Sequence, residues 1–333
     1  MSAGIQVLAT AVADHLALRA RLRPLEVVFW GAALASLVLL PGKHLILAEI
    51  AVLALFALSL DLILGYAGII SLGHAAFFGF GAYIAGLLAK HHLIDEPLLA
   101  LLAAGLAAAA LGFATSFLVL RGSDLTRLMV TLGVAMLLRE AANRFDAITG
   151  GADGLQGIVT APLLGRFAFD MAGHVAYAYV LAVLFVLFVI ARRIVHSPFG
   201  LSLRSIKGNT LRAGAIGIPV NSRLVAIYTI AACYAGIAGA LLTQTTSFCS
   251  LDVFSFDRSA DLLLVLIIGG TGYLYGGLIG AIAFKLMQDW LAGLTPQYWQ
   301  FWIGLLLVAI VLVGRERVAA RLGGLRGLFR KGG

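Results

Sequence analysis

The sequence predicts an all-α protein embedded in a membrane and crossing it about ten times, and three observations predict it. Of its 333 residues, 61% are hydrophobic and only 12% charged. Soluble domains run about 45–50% apolar and about 25% charged, so this chain has too little polar side chain to coat a water-facing globule. Leu98–Leu120, Leu224–Leu251 and Leu262–Phe284 contain no Asp, Glu, Lys or Arg, and each exceeds the roughly 20 apolar residues that a spanning helix needs. These runs are dense in Leu, Ala and Gly and lack the alternation of membrane β-strands, so helices are expected. Length alone suggests two domains, but no polar linker divides the chain, and one membrane domain fits better.

Residues 1–24 form a segment before the first span, with Ile5, Leu8, Val12 and Leu16 at helical spacing. A helix lying on the inner surface and a disordered tail both fit them. Spans are expected near 25–42, 45–64, 74–90, 98–120, 125–142, 174–192, 222–246, 259–273, 275–291 and 299–314, so that 25–314 is the membrane domain. Ala33-Leu34-Ala35 superficially resembles a signal-cleavage site, but apolar sequence continues past it, so the first span reads as uncleaved. Gly65–Gly73 separates the second and third spans, and Gly269-Gly270-Thr271-Gly272 the eighth and ninth. Both stretches are too rich in glycine for good helix. Residues 315–333 form a basic tail suited to anionic lipid.

The net charge of +8 raises the question of nucleic acid, and its placement answers it. With the N-terminus inside, 17 of the 24 Lys and Arg residues fall on inner segments. They lie before residue 25, at Arg121 and Arg127, in and beside the 193–221 loop, and in the tail. That asymmetry is the positive-inside signal. An even number of spans then puts both termini in the cytoplasm, and no nucleic-acid partner is expected.

The chemistry-bearing stretch runs from Asp61 to Tyr83. It reads as a broken helix at membrane depth, and irregular backbone there is tolerated only beside protein or a water-filled cavity. Transporters place such breaks next to the translocation path. Asp61, Tyr66, Ser71, Gly73, His74 and Tyr83 are therefore candidate path residues. A structural reading stands beside this one, with Ser71 and His74 satisfying backbone groups and Asp61 at the inner edge. Gly272, Gly276 and Gly280 repeat every four residues and predict a helix-packing face. Ala232, Gly236 and Ala240 do the same in the seventh span.

Two loops stand out. The outer loop Asn143–Gly173 carries the turn-rich run Thr149–Gly154 and is a candidate gate or partner contact, or an ordinary connection. The inner loop predicts a turn and a short helical piece, with Leu203, Ile206, Leu211, Ala215 and Ile218 as an intermittent apolar face that needs a partner. There is no phosphate-binding Gly-x-x-x-x-Gly-Lys-Ser/Thr loop, no zinc spacing and no Gly-x-Ser-x-Gly. The chain is expected to be no enzyme and to hold no cofactor or metal. Cys233 and Cys249 are 16 residues apart, about 24 Å along a helix, and are expected to stay unpaired.

Gly65-Tyr66-Ala67-Gly68 through Ser71-Leu72-Gly73-His74-Ala75-Ala76-Phe77-Phe78-Gly79 resembles the signature of the branched-chain amino acid ABC transporter permeases of the M-subunit type. The likeness continues at Thr149-Gly150-Gly151, Pro198-Phe199-Gly200, Arg204-Ser205-Ile206, Ala213–Ile218, Gly269–Gly272 and Gly276–Ala281, in family order over about residues 45–315. The resemblance implies a ten-helix importer fold with an internal pseudo-repeat, in a bacterial inner membrane. It implies a second homologous permease subunit, two cytoplasmic ATPases that use ATP and magnesium, and a periplasmic substrate-binding protein. It also makes Pro198, Phe199, Gly200, Arg204, Ile206, Arg212, Ala213, Ala215 and Gly217 the ATPase-coupling segment. Thr210 and Gly214 stand where the family commonly has acidic residues, and Arg212 where alanine is usual, so the docking surface is more basic than average. Branched-chain or related hydrophobic amino acids are the expected solutes. Relatives also move urea, amides and aromatic or short carboxylates. The rival reading is a self-sufficient secondary transporter using Asp61, Glu140 or Asp261 as proton or cation sites.

Overall fold

The computed structural model describes residues 24–170, 172–294, 296–298, 300–305 and 308. The N-terminal segment, most of the expected tenth span and the basic tail therefore lie outside the described residues. The chain is all-α: the pairings at Leu155 with Cys249 and Leu163 with Phe167 are isolated bridges. Eleven helices matter here, α1 Pro24–Leu39, α2 His44–Asp61, α3 Ala75–Lys90, α4 Pro97–Val119, α5 Asp124–Arg144 and α6 His174–Val195. They continue with α7 Pro198–Gly208, α8 Thr210–Ala215, α9 Val220–Thr246, α10 Phe256–Gly269 and α11 Leu274–Leu294.

Among the described residues, four helical segments are long and apolar enough to cross a bilayer: α2 with its π-helical extension to Tyr66, α4, α6 and α9. The protein is a polytopic membrane protein. The expected eighth and ninth spans form one pair, α10 and α11, bent by 111° at the glycine break. The charge-free run Leu262–Phe284 is thus no straight helix, because Gly270 and Gly272 hold positive φ between its halves. The compact body that ends at Ala281 is the one described below. The remainder, from Ile282, ends its described part in a helix that exposes Phe301 and Trp302.

The centre of the body is α9, which packs on α2, α3 and α4. Small residues make that approach possible. A Cβ built on Gly239 would lie 1.8 Å from the Phe78 carbonyl oxygen, and one on Gly236 2.3 Å from the Ala108 methyl. Lipid offers no hydrophobic drive between helices, so close backbone packing takes over. The expected face of Ala232, Gly236 and Ala240 is used this way. Burial follows position, with 78% of the α2 span covered and only 33% of α4.

Polar residues tie the bundle at chosen points. Gln244 of α9 accepts from the Tyr179 hydroxyl at 3.0 Å and donates to the Pro97 carbonyl at 2.8 Å, joining α6, α9 and the start of α4. An ion pair of Glu26 with Arg192 and the Trp30–Phe188 contact, 5.4 Å between rings, hold α1 on α6. Both cysteines are free. α9 ends at Thr246, so Cys249 lies beyond the helix and pairs its backbone with Leu155.

Candidate functional site

The helix break forms as its glycines predict. α2 loosens into a π-turn, Leu62–Tyr66, and the chain then runs irregularly to α3. Three segments distant in sequence meet at this turn. Lys207 of α7 donates from Nζ to the Gly65 carbonyl at 2.7 Å. That carbonyl lies in the last turn of a helix, where carbonyls run out of intrahelical partners, so a cation there is well placed. The Arg204 guanidinium stands 5.3 Å from the centre of the Tyr66 ring, within cation–π range. Gly272, in the turn between α10 and α11, donates its N–H to Asp61 Oδ1 at 2.7 Å. A Cβ on Gly65 would sit 2.1 Å from that same oxygen, so only glycine permits the knot.

The inner loop is more helical than expected, with α7 and α8 joined at Asn209. Ser197 caps α7 by accepting from the Gly200 N–H, and Pro198 occupies its first turn. Asn209 caps α8 through the Arg212 N–H at 2.9 Å. Gly217, at φ +87, closes α8 with the Ile218 N–H on the Ala213 carbonyl, a Schellman ending. Gly200 and Leu203 are buried. The Arg223 guanidinium, 5.3 Å from the Phe199 ring centre, fastens the start of α7 to α9.

These contacts redistribute the expected coupling residues. Ile206 and Ala213 are buried in the chain itself, so they seat the two helices and do not face a partner. Leu211 and Ile216 project outward instead, 85% and 68% exposed, next to exposed Arg212, Ala215 and Gly217. Gly272 also departs from expectation. It precedes α11 with φ +77 and ties Asp61, so it does not share a helical face with Gly276 and Gly280. Those two do pack, since Cβ atoms on them would lie 2.1 Å from the Gly270 and Val265 carbonyl oxygens.

The candidate path residues Asp61, Tyr66, Ser71, Gly73, His74 and Tyr83 are all buried within the chain. His74 Nε2 lies 2.8 Å from Ser59 Oγ, and that hydroxyl is 2.6 Å from the Phe56 carbonyl. Serine has one proton to give. With it on the carbonyl, His74 is the donor through Nε2. The ring also stacks on Phe56, which makes His74 a bracket between α2 and the start of α3. Tyr83 stacks on Phe254 at 5.4 Å, and Leu72 N–H donates to Thr131 Oγ1 at 3.3 Å. Ser71 Oγ, Tyr83 Oη and Asp61 Oδ2 have no hydrogen-bond partner among the described residues. Glu140 stands apart, in an exposed pair with Arg144 at 3.4 Å.

At the far end of α6, Asp170 acts as a remote cap. Its carboxylate accepts from the Val175 N–H at 3.0 Å and the His174 N–H at 3.3 Å. Desolvation works against its ionisation, but the backbone donors at Val175, His174 and Asp170 itself outweigh it and hold the carboxyl below its ordinary range. A depressed carboxyl pKa contributes stability above the unfolded value of about 3.9, lost as pH falls through the folded value. Amide exchange at His174 and Val175 should therefore accelerate below about pH 4 in the native protein. Asp170→Asn should abolish that pH step, and an unchanged step would assign it elsewhere.

Lys207 is the residue that sequence reasoning passed over, and Gly272, expected on a packing face, instead ties Asp61. Lys207 was visible only as one more orienting charge, although its spacing of three from Arg204 puts both on one helical face.

Comparison with known proteins gives a consistent result. The family described as branched-chain amino acid transport system / permease component matches residues 44–311. The high-affinity branched-chain amino acid transport system permease protein LivM of Escherichia coli K12 is 28% identical over 280 residues, 78% of this chain. Its Salmonella typhimurium LT2 counterpart is 28% identical over 281 residues, again 78% of the chain. The chain spans 65% of the length of each. The probable ABC transporter permease protein YphD of E. coli K12 is 28% identical over 143 residues, 40% of the chain and 42% of that protein. No solved structure matches the chain.

Proposed function

The chain belongs to the branched-chain amino acid transport permease family, and from that premise we propose that it is the membrane-spanning subunit of an ATP-driven importer of branched-chain or related hydrophobic amino acids. The observation that carries this reading is the α7–α8 pair, which is anchored to the membrane helices by one face and leaves Leu211 and Ile216 bare on the other. An apolar helical face standing clear of its own chain is suited to a protein groove. In this reading the pair faces the cytoplasm in a bacterial inner membrane, both termini lie on that side, and α8 seats in one of two ATPase subunits. ATP and its magnesium are used there, and this chain supplies no catalytic group. A second homologous permease completes the path. A periplasmic binding protein delivers the solute at the end that carries the Asn143–Gly173 loop. That delivery would leave most solute selection to the receptor.

The test is reconstitution in proteoliposomes with the co-encoded permease, ATPases and receptor, measuring uptake of labelled leucine, isoleucine and valine. Uptake that needs both ATP and receptor is expected. Uptake by this chain alone, driven by an ion gradient, would overturn the reading in favour of a secondary transporter. Competition by urea, an amide, an aromatic or a short carboxylate in place of leucine would move the substrate class.

A further inference from the structure

The docking helices and the helix break are joined by few contacts, and those contacts are unusually specific. Lys207 reaches from α7 to the Gly65 carbonyl at 2.7 Å. Its stem lies along Gly68, where an added Cβ would be 3.1 Å from Lys207 Cγ and where φ is +75. Arg204, one turn earlier, covers Tyr66. Asp61 precedes the same π-turn; its one oxygen holds the 270–273 turn through Gly272, while the other is buried and has no hydrogen-bond partner among the described residues. The seat beneath this contact is apolar and firm, since Leu203 and Ile206 are both buried. A displacement of α7 would therefore act on the Gly65 carbonyl and the Tyr66 ring, which its side chains touch. A π-turn is suited to answer, because its wide hydrogen-bond ring differs from α-helix by one residue and such turns cluster at functional places.

We infer that Lys207, with Arg204 beside it, is the positioning residue that transmits movement of the docking helices to the broken helix and, through Asp61 and Gly272, to the α10–α11 turn. The inference rests on the importer reading above. Without Lys207, the ATPases dock and turn over, but their motion no longer reaches the π-turn.

The experiment uses the complete transporter in proteoliposomes and reads solute moved per ATP hydrolysed in the wild type, Lys207→Met and Lys207→Arg. Lys207→Met keeps the length of the stem without the charge. It should retain ATPase co-purification and hydrolysis while transport per ATP falls at least about tenfold, within the range of ordinary coupling energies. Lys207→Arg should restore most of it. A ratio within about twofold of wild type in Lys207→Met would overturn the inference. So would a parallel loss of hydrolysis and transport with the ATPase no longer co-purifying, since Lys207 would then hold the docking surface itself. A wild-type assembly that moves solute without ATP would instead overturn the importer reading, and the two failures are told apart by the wild-type arm alone.

Discussion

Leu211→Glu combined with Ile216→Glu is expected to abolish co-purification of the ATPase while the membrane domain melts as the wild type does. Both side chains are outside the chain's own core, at 85% and 68% exposure, so their replacement removes little internal contact. Burial of each in a partner's groove contributes about 1.5–3 kcal/mol. Losing both therefore weakens association by about two to four orders of magnitude, and two unpaired carboxylates left in an apolar groove weaken it further. Ile206→Glu makes a sharp contrast. That side chain is buried against the membrane helices, so the charge should loosen the seat of α7 and lower the melting temperature. Retention of the ATPase by the double variant, measured in detergent by affinity pull-down, would remove α8 from the docking role.

The difference between Ile206, buried, and Leu211, exposed, explains why the sequence could locate the docking segment but not its face. Read as one helical pattern, Leu203, Ile206, Leu211, Ala215 and Ile218 share a side. Asn209 breaks that pattern: its backbone is extended, at φ −163, while its side chain caps α8. The helical phase is reset there, and the apolar residues before and after it point in different directions. The same limit applies to the knot. The break at Gly65–Gly73 was legible because glycine disfavours helix in any setting. The N–H that fills Asp61 comes from a residue 211 positions away, and no local pattern encodes that distance. Hydropathy similarly marked Leu262–Phe284 as apolar. It was blind to the 111° bend, which depends on backbone dihedrals at two glycines.

Gly73→Ala is the second large effect expected, and it bears on how the broken helix should be probed. As a candidate path residue, Gly73 when enlarged would plug a path. A Cβ there, however, would lie 1.8 Å from the Thr131 carbonyl oxygen and 2.3 Å from its carbon. Both atoms belong to the backbone of α5, so no rotamer change relieves the overlap, and α5 itself must shift. Overpacking of this kind costs about 1–3 kcal/mol, and Leu at the same position costs more. The shift also strains the bond from Leu72 N–H to Thr131 Oγ1. Gly73→Ala should therefore lower the melting temperature of the solubilised protein, and Gly73→Leu should lower it further while abolishing uptake. Loss of uptake in Gly73→Leu then reports a displaced α5 as much as a blocked path. Ser71→Ala separates the two, because it deletes a buried hydroxyl that has no partner among the described residues and should leave the melting temperature unchanged. Uptake lost in Ser71→Ala at wild-type stability would place this segment against the solute. Wild-type melting in Gly73→Ala would show that the contact between the break and α5 is absent.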